Sequence, residues 1–151
     1  MNPQPANQHN PQSNVELRIR TLRTLWIALL FTVGGYYVFT LFSGRSEDIT
    51  PNPTMSLVLL AIGVLITLIS FPIKNKLISS AIQQQQVALV QQAYIVTWAV
   101  TEVAALLGML DFYLTGHRHY YVLFIVAAIG QLLHFPRREH VINASFKSPI
   151  L

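Results

Sequence analysis

Ala93-Tyr94-Ile95-Val96-Thr97-Trp98-Ala99-Val100-Thr101-Glu102-Val103-Ala104-Ala105-Leu106-Leu107-Gly108-Met109-Leu110 is the stretch whose reading decides the class of this protein. Only Glu102 in it is charged. About 20 apolar residues suffice for a helix to cross hydrocarbon, and this run reaches that length when extended to Leu114. A carboxylate in that medium costs on the order of 2.5–3.5 kcal/mol by insertion scales. An acid retained there is therefore a functional-site candidate.

Working outward, residues 24–44, 49–73 and 77–101 contain no charged side chain. Of 151 residues, 52% are apolar and 11% charged. A soluble domain carries about 25% charged residues, so this chain cannot cover a water-facing surface. The pattern predicts an all-α integral membrane bundle of four transmembrane helices in two hairpins. The expected spans are residues 22–43, 55–71, 93–114 and 119–135. Residues 1–14, mostly Asn, Gln and Pro, are expected to be disordered because they bury nothing. Residues 15–151 form the single transmembrane domain. No small-residue cleavage site follows the first apolar segment, which is therefore expected to remain as a span. Pro72 is expected to end or bend the second helix. Residues 77–92 lack Pro and Gly and predict a helical extension of the third span into the cytoplasm, since Gln83-Gln84-Gln85-Gln86 and Gln91-Gln92 are too polar for hydrocarbon.

Basic residues set the orientation. Arg18, Arg20, Arg23, Lys74, Lys76, Arg137, Arg138 and Lys147 fall on one side, and Arg45 and Arg118 on the other. Both termini are expected in the cytoplasm. The two hairpins also echo one another. Trp26 to Gly44 and Trp98 to Gly116 span equal intervals, and Phe71-Pro72 matches Phe135-Pro136. A duplication is one explanation. Convergence of apolar helices with interfacial Trp and terminal Pro is the other.

Composition also excludes chemistry. Cysteine is absent, which removes disulfides, thiolate metal sites and cysteine nucleophiles. The net charge of +4 comes from residues flanking apolar runs, which argues against nucleic-acid binding. There is no phosphate-binding Gly loop, nucleophile elbow or His-Glu-x-x-His. Neither an enzyme nor a bound cofactor is expected.

By three- and four-residue spacing, Glu102 shares a helix face with Trp98, Ala99, Ala105 and Met109. Small residues let helices approach closely. Ala99, Ala104, Ala105 and Gly108 are therefore the expected packing face. Thr32, Thr67 and Gln131 are the expected polar partners of Glu102 at similar depth. Glu102 then reads as a proton or cation carrier, as a contact to a partner subunit, or as an internal polar clamp between helices. Asp111 lies about 13 Å further along the axis and is expected to pair with Arg118, His117 or His119. His117 and His119 supply two ligands at most, short of a metal site. His134 reads as an interfacial histidine, or as an axial ligand to haem or a chlorin.

The run Val90-Gln91-Gln92-Ala93-Tyr94-Ile95, continued through Ala99 to Leu110, resembles the outer helix of the proteolipid (c) subunit of F- and V-type ATPases. That resemblance implies that Glu102 binds a proton or Na⁺. The chain departs from the family in residues 55–71, where Gly63 stands alone in place of a Gly/Ala ladder. The whole chain also resembles small four-span bacterial membrane proteins that share an acid in the third span and a final Phe-Pro-Arg-Arg. That implies a multi-pass protein of the cell inner (plasma) membrane. The expected function is a non-catalytic accessory or scaffold subunit, with lipid and other membrane subunits as partners.

Overall fold

The computed structural model describes residues 11–44 and 50–145. Among them the chain is all-α: α1 Pro11–Phe42, α2 Pro53–Gln83, α3 Val87–Thr115, α4 Tyr121–Leu133 and α5 Arg138–Ser145. Val15–Phe42, Pro53–Gln83 and Val87–Thr115 are long and apolar enough to cross a membrane. The fourth segment is shorter than expected. With 13 residues, α4 is about 20 Å long, against roughly 30 Å of hydrocarbon.

Three further boundaries differ from expectation. Helix α1 already begins at Pro11, so residues 11–14 are helical, while residues 1–10 lie outside the described part. Pro72 does not end α2, which runs through it to Gln83. A proline forfeits one intrahelical bond, but the residues around it are held by packing: Thr67, Ser70, Lys74, Ile78 and Ala81 are all buried. The stretch 77–92 does not extend the third helix alone. It divides between the end of α2 and the start of α3.

The polar glutamines explain that division. The Gln86 N–H donates to Ala81 O at 3.1 Å and the Gln85 N–H to Ile82 O at 3.0 Å. Gln85 has φ 50°. This is a Schellman stop, which satisfies carbonyls left over at a helix end. Helix α3 ends on Gly116 at φ 60°, a conformation that glycine adopts without a Cβ clash.

Helix α2 packs along α3 in the most extensive interface. Helix α1 lies on α3, α4 and α5, and its backbone does not come close to that of α2. Val15, Ile19 and Leu22 of α1 are buried with Ile78, Ala81, Val90, Trp98, Val141 and Ala144. This proximal core gathers the start of α1, the α2–α3 turn and α5 at one end of the bundle. A second core joins Val33, Ala104, Ala105, Phe124 and Ala127. The α3–α4 turn marks the opposite, distal end.

Candidate functional site

Glu102 is half-buried and faces α1, where the Tyr36 hydroxyl donates to its Oε1 at 3.1 Å. The expected partners are engaged elsewhere. Thr32 donates to Ala28 O at 3.0 Å and Thr67 to Gly63 O at 2.9 Å. Gln131 Oε1 lies 3.3 Å from the Thr101 hydroxyl. Ser and Thr in apolar helices readily satisfy themselves this way. Tyr36 reads in the sequence as an interfacial aromatic. The signal for its inward face is the spacing of Val33, Tyr36 and Thr40, of which the outer two are buried.

The small residues of α3 are used within the bundle. Ala104, Ala105 and Gly108 are buried, whereas Ala99 is exposed. A Cβ on Gly63 would lie 3.6 Å from Ala104 Cβ, and one on Gly108 would lie 3.1 Å from both Leu123 Cβ and the Phe124 ring. By contrast, a Cβ on Gly34 or Gly35 of α1 would meet nothing within 4 Å. An apolar groove of about 370 Å³ opens beside Gly34, bounded by Leu30, Val33, Tyr37, Phe124 and Ile125.

Two tryptophans secure the end of α4. The last carbonyls of a helix have no intrahelical donor. Here Trp26 Nε1–H donates to Gln131 O at 2.8 Å and Trp98 Nε1–H to His134 O at 3.1 Å. Trp98 and His134 are fully buried. The Ser70 hydroxyl donates to Thr67 O at 2.6 Å, so the 2.7 Å contact between Ser70 Oγ and His134 Nε2 has the ring donating. His134 Nδ1 and Gln131 Nε2 have no hydrogen-bond partner among the described residues. With no exposed edge, and with Phe71 at 4.4 Å from its ring, His134 offers no open face to a haem or chlorin.

A tyrosine ties α5 to the bundle. The Tyr94 hydroxyl accepts from the Arg137 N–H at 2.9 Å and contacts His140 Nδ1 at 2.7 Å. Burial, then Lys74 and Arg137, holds His140 below its ordinary range, outweighing Glu139. A neutral ring with a bare Nδ1 can accept the Tyr94 proton. The surface ion pair nearby, Arg138 to Glu16 at 3.7 Å, is exposed on both sides and adds little.

Asp111 departs furthest from expectation. It is buried, and its expected partners among His117, Arg118 and His119 are replaced by hydroxyls. Ser56 donates to Oδ2 at 2.8 Å, and the one proton of the Thr115 hydroxyl is shared between Oδ1 at 2.5 Å and Asp111 O at 2.9 Å. His117 Nδ1 stands 3.4 Å from Ser56 Oγ, and the His119 N–H points at that same nitrogen at 3.4 Å. Arg118 lines a different crevice, with Thr40 and Tyr120. Ser56, Asp111, His117 and His119 share a distal cavity of about 470 Å³. The order of contacts is not that of a catalytic triad, in which the base touches the nucleophile and the acid orients the base. Here the acid holds the serine directly. No group of three or more His, Asp or Glu among the described residues is placed to hold a metal ion.

No family model, no curated protein and no solved structure matches this chain.

Proposed function

We propose that the protein is a non-catalytic accessory or scaffold subunit of a larger membrane assembly, and that α1 is the helix that meets the partner. The observation carrying this reading is the open face of α1. A Cβ added at Gly34 or Gly35 would meet nothing within 4 Å, and Phe31, Val38, Phe39, Leu41 and Phe42 around them are exposed. Helix association in lipid draws on close backbone approach at small residues, and Ala104, Ala105 and Gly108 of α3 are already buried within the bundle. The chain lies multi-pass in a plasma membrane with both termini in the cytoplasm. The clustering of Arg18, Arg20, Arg23, Lys74, Lys76, Arg137 and Arg138 toward the proximal end supports that orientation. Helix α4 then makes the fourth, short crossing.

Purification in native-lipid nanodiscs tests the reading. A stoichiometric membrane partner is expected to accompany the chain. The double variant Gly34→Leu, Gly35→Leu is expected to lose that partner while folding normally. Leucine at each position gains about 0.5–1 kcal/mol of helix propensity over glycine, and its Cβ meets nothing within 4 Å. Recovery of the chain alone from native membranes, with no partner, overturns the proposal.

Glu102 favours a second reading, an ion-translocating proteolipid-like subunit. The acid is half-buried beside a tyrosine hydroxyl and, among the described residues, it has no ion pair. Dicyclohexylcarbodiimide is then expected to label Glu102, with labelling blocked by Na⁺ or by high pH. Absence of labelling at every pH removes this reading.

A further inference from the structure

The distal cavity has the construction of a ligand site. Its volume of about 470 Å³ lies within the range of small-molecule pockets, roughly 300–1,000 Å³. Leu57, Leu60 and Val122 form an apolar wall, and Ser56, Asp111 and His117 a polar floor. Three elements contribute to that floor: the first turns of α2, the last part of α3 and the turn after it.

Asp111 is the group the fold leaves unbalanced. It is only 1% exposed. Two hydroxyls take one lone pair on each carboxylate oxygen, and a carboxylate has about four such sites. The hydroxyls orient the group but carry no charge. Among the described residues its carboxylate has no ion pair. The last turn of α3 disfavours negative charge, whereas the start of α2 favours it. Neither end supplies a full positive charge, and a buried charge without a partner is expensive.

The geometry points to a receptor for an amphiphilic primary ammonium. The –NH₃⁺ head donates to Asp111 and Ser56 Oγ. His117 and His119 line the same cavity beside them. The hydrocarbon body lies along Leu57, Leu60 and Val122. The depth of Asp111 selects a slim head with three N–H donors over a bulky quaternary one. An inorganic cation would satisfy the acid and leave the apolar wall unused.

The test is a titration of dansylcadaverine, a pentylammonium with a fluorescent tail, onto the full chain in zwitterionic nanodiscs. It is run at pH 8 with empty nanodiscs subtracted. One saturable site per chain is expected, displaced by hexylammonium. Asp111→Asn is expected to weaken binding at least about tenfold, as removal of one member of a buried charge pair does. Leu60→Trp, which fills the cavity and leaves the carboxylate in place, is expected to weaken it similarly. The proposal is overturned by no saturable signal above empty discs, or by unchanged affinity in Leu60→Trp. Displacement by Na⁺ or Zn²⁺ but not by hexylammonium overturns it as well, in favour of an inorganic cation.

Discussion

Trp98→Ala is expected to lower stability by about 3–5 kcal/mol, the range for truncating a fully buried Trp. The indole packs at the centre of the proximal core, with its centroid 5.5 Å from that of Tyr94, and no part of it is exposed. Its Nε1–H also holds His134 O at the end of α4. Truncation therefore opens a cavity and strands a helix-terminal carbonyl together. Trp98→Phe separates the two effects. It keeps most of the ring and loses the hydrogen bond, a net cost of about 1–3 kcal/mol when the remaining group stays buried. Unfolding in mixed micelles of graded denaturing detergent, followed by near-ultraviolet circular dichroism, measures both. If Trp98→Ala costs no more than Trp98→Phe, the packing argument fails.

The second large effect is expected at Gly130. A Cβ there would lie 2.8 Å from Thr67 Cγ2 and 3.1 Å from Thr101 Cγ2. Both threonines are β-branched and stiff at χ1. Their hydroxyls are also engaged, with Gly63 O and Trp98 O respectively, so neither can rotate away freely. Gly130→Val must push α4 off α2 and α3, at a cost of about 1–3 kcal/mol or more. Gly34→Val is the matched comparison, since nothing lies within 4 Å of its Cβ. The same detergent titration is expected to show a large loss for Gly130→Val and almost none for Gly34→Val. Equal losses would mean that α2, α3 and α4 are not in tight contact at Gly130.

These two glycines show where reading along the chain stops. Gly130 and Gly34 each sit in apolar helix with similar neighbours. Only the fold reveals that one is filled by two threonines and the other is bare. The same limit applies to Pro72. Its local chemistry argues for a helix end, and packing of α2 along α3 overrides it. The glutamine run shows the opposite. Its polarity placed it outside hydrocarbon, and the fold turns the chain there between α2 and α3. What spacing could not supply was that turn itself, because Gln85 in a left-handed conformation is an uncommon choice for a helix stop.

For the candidate sites the division is sharper. Glu102 and Asp111 stand out in the sequence because a charge in an apolar run is costly wherever the neighbours lie. Their partners do not stand out. Tyr36 is 66 positions from Glu102, and Ser56 is 55 from Asp111. Hydrophobicity and charge are properties of a segment, so the sequence by itself determined membrane-length helices and the few costly polar groups within them. Hydrogen-bond partners, the filled and open glycines and the distal cavity depend on the rotation and register of one helix against another. Those are set by side-chain packing across the bundle, so the tertiary structure alone decided them.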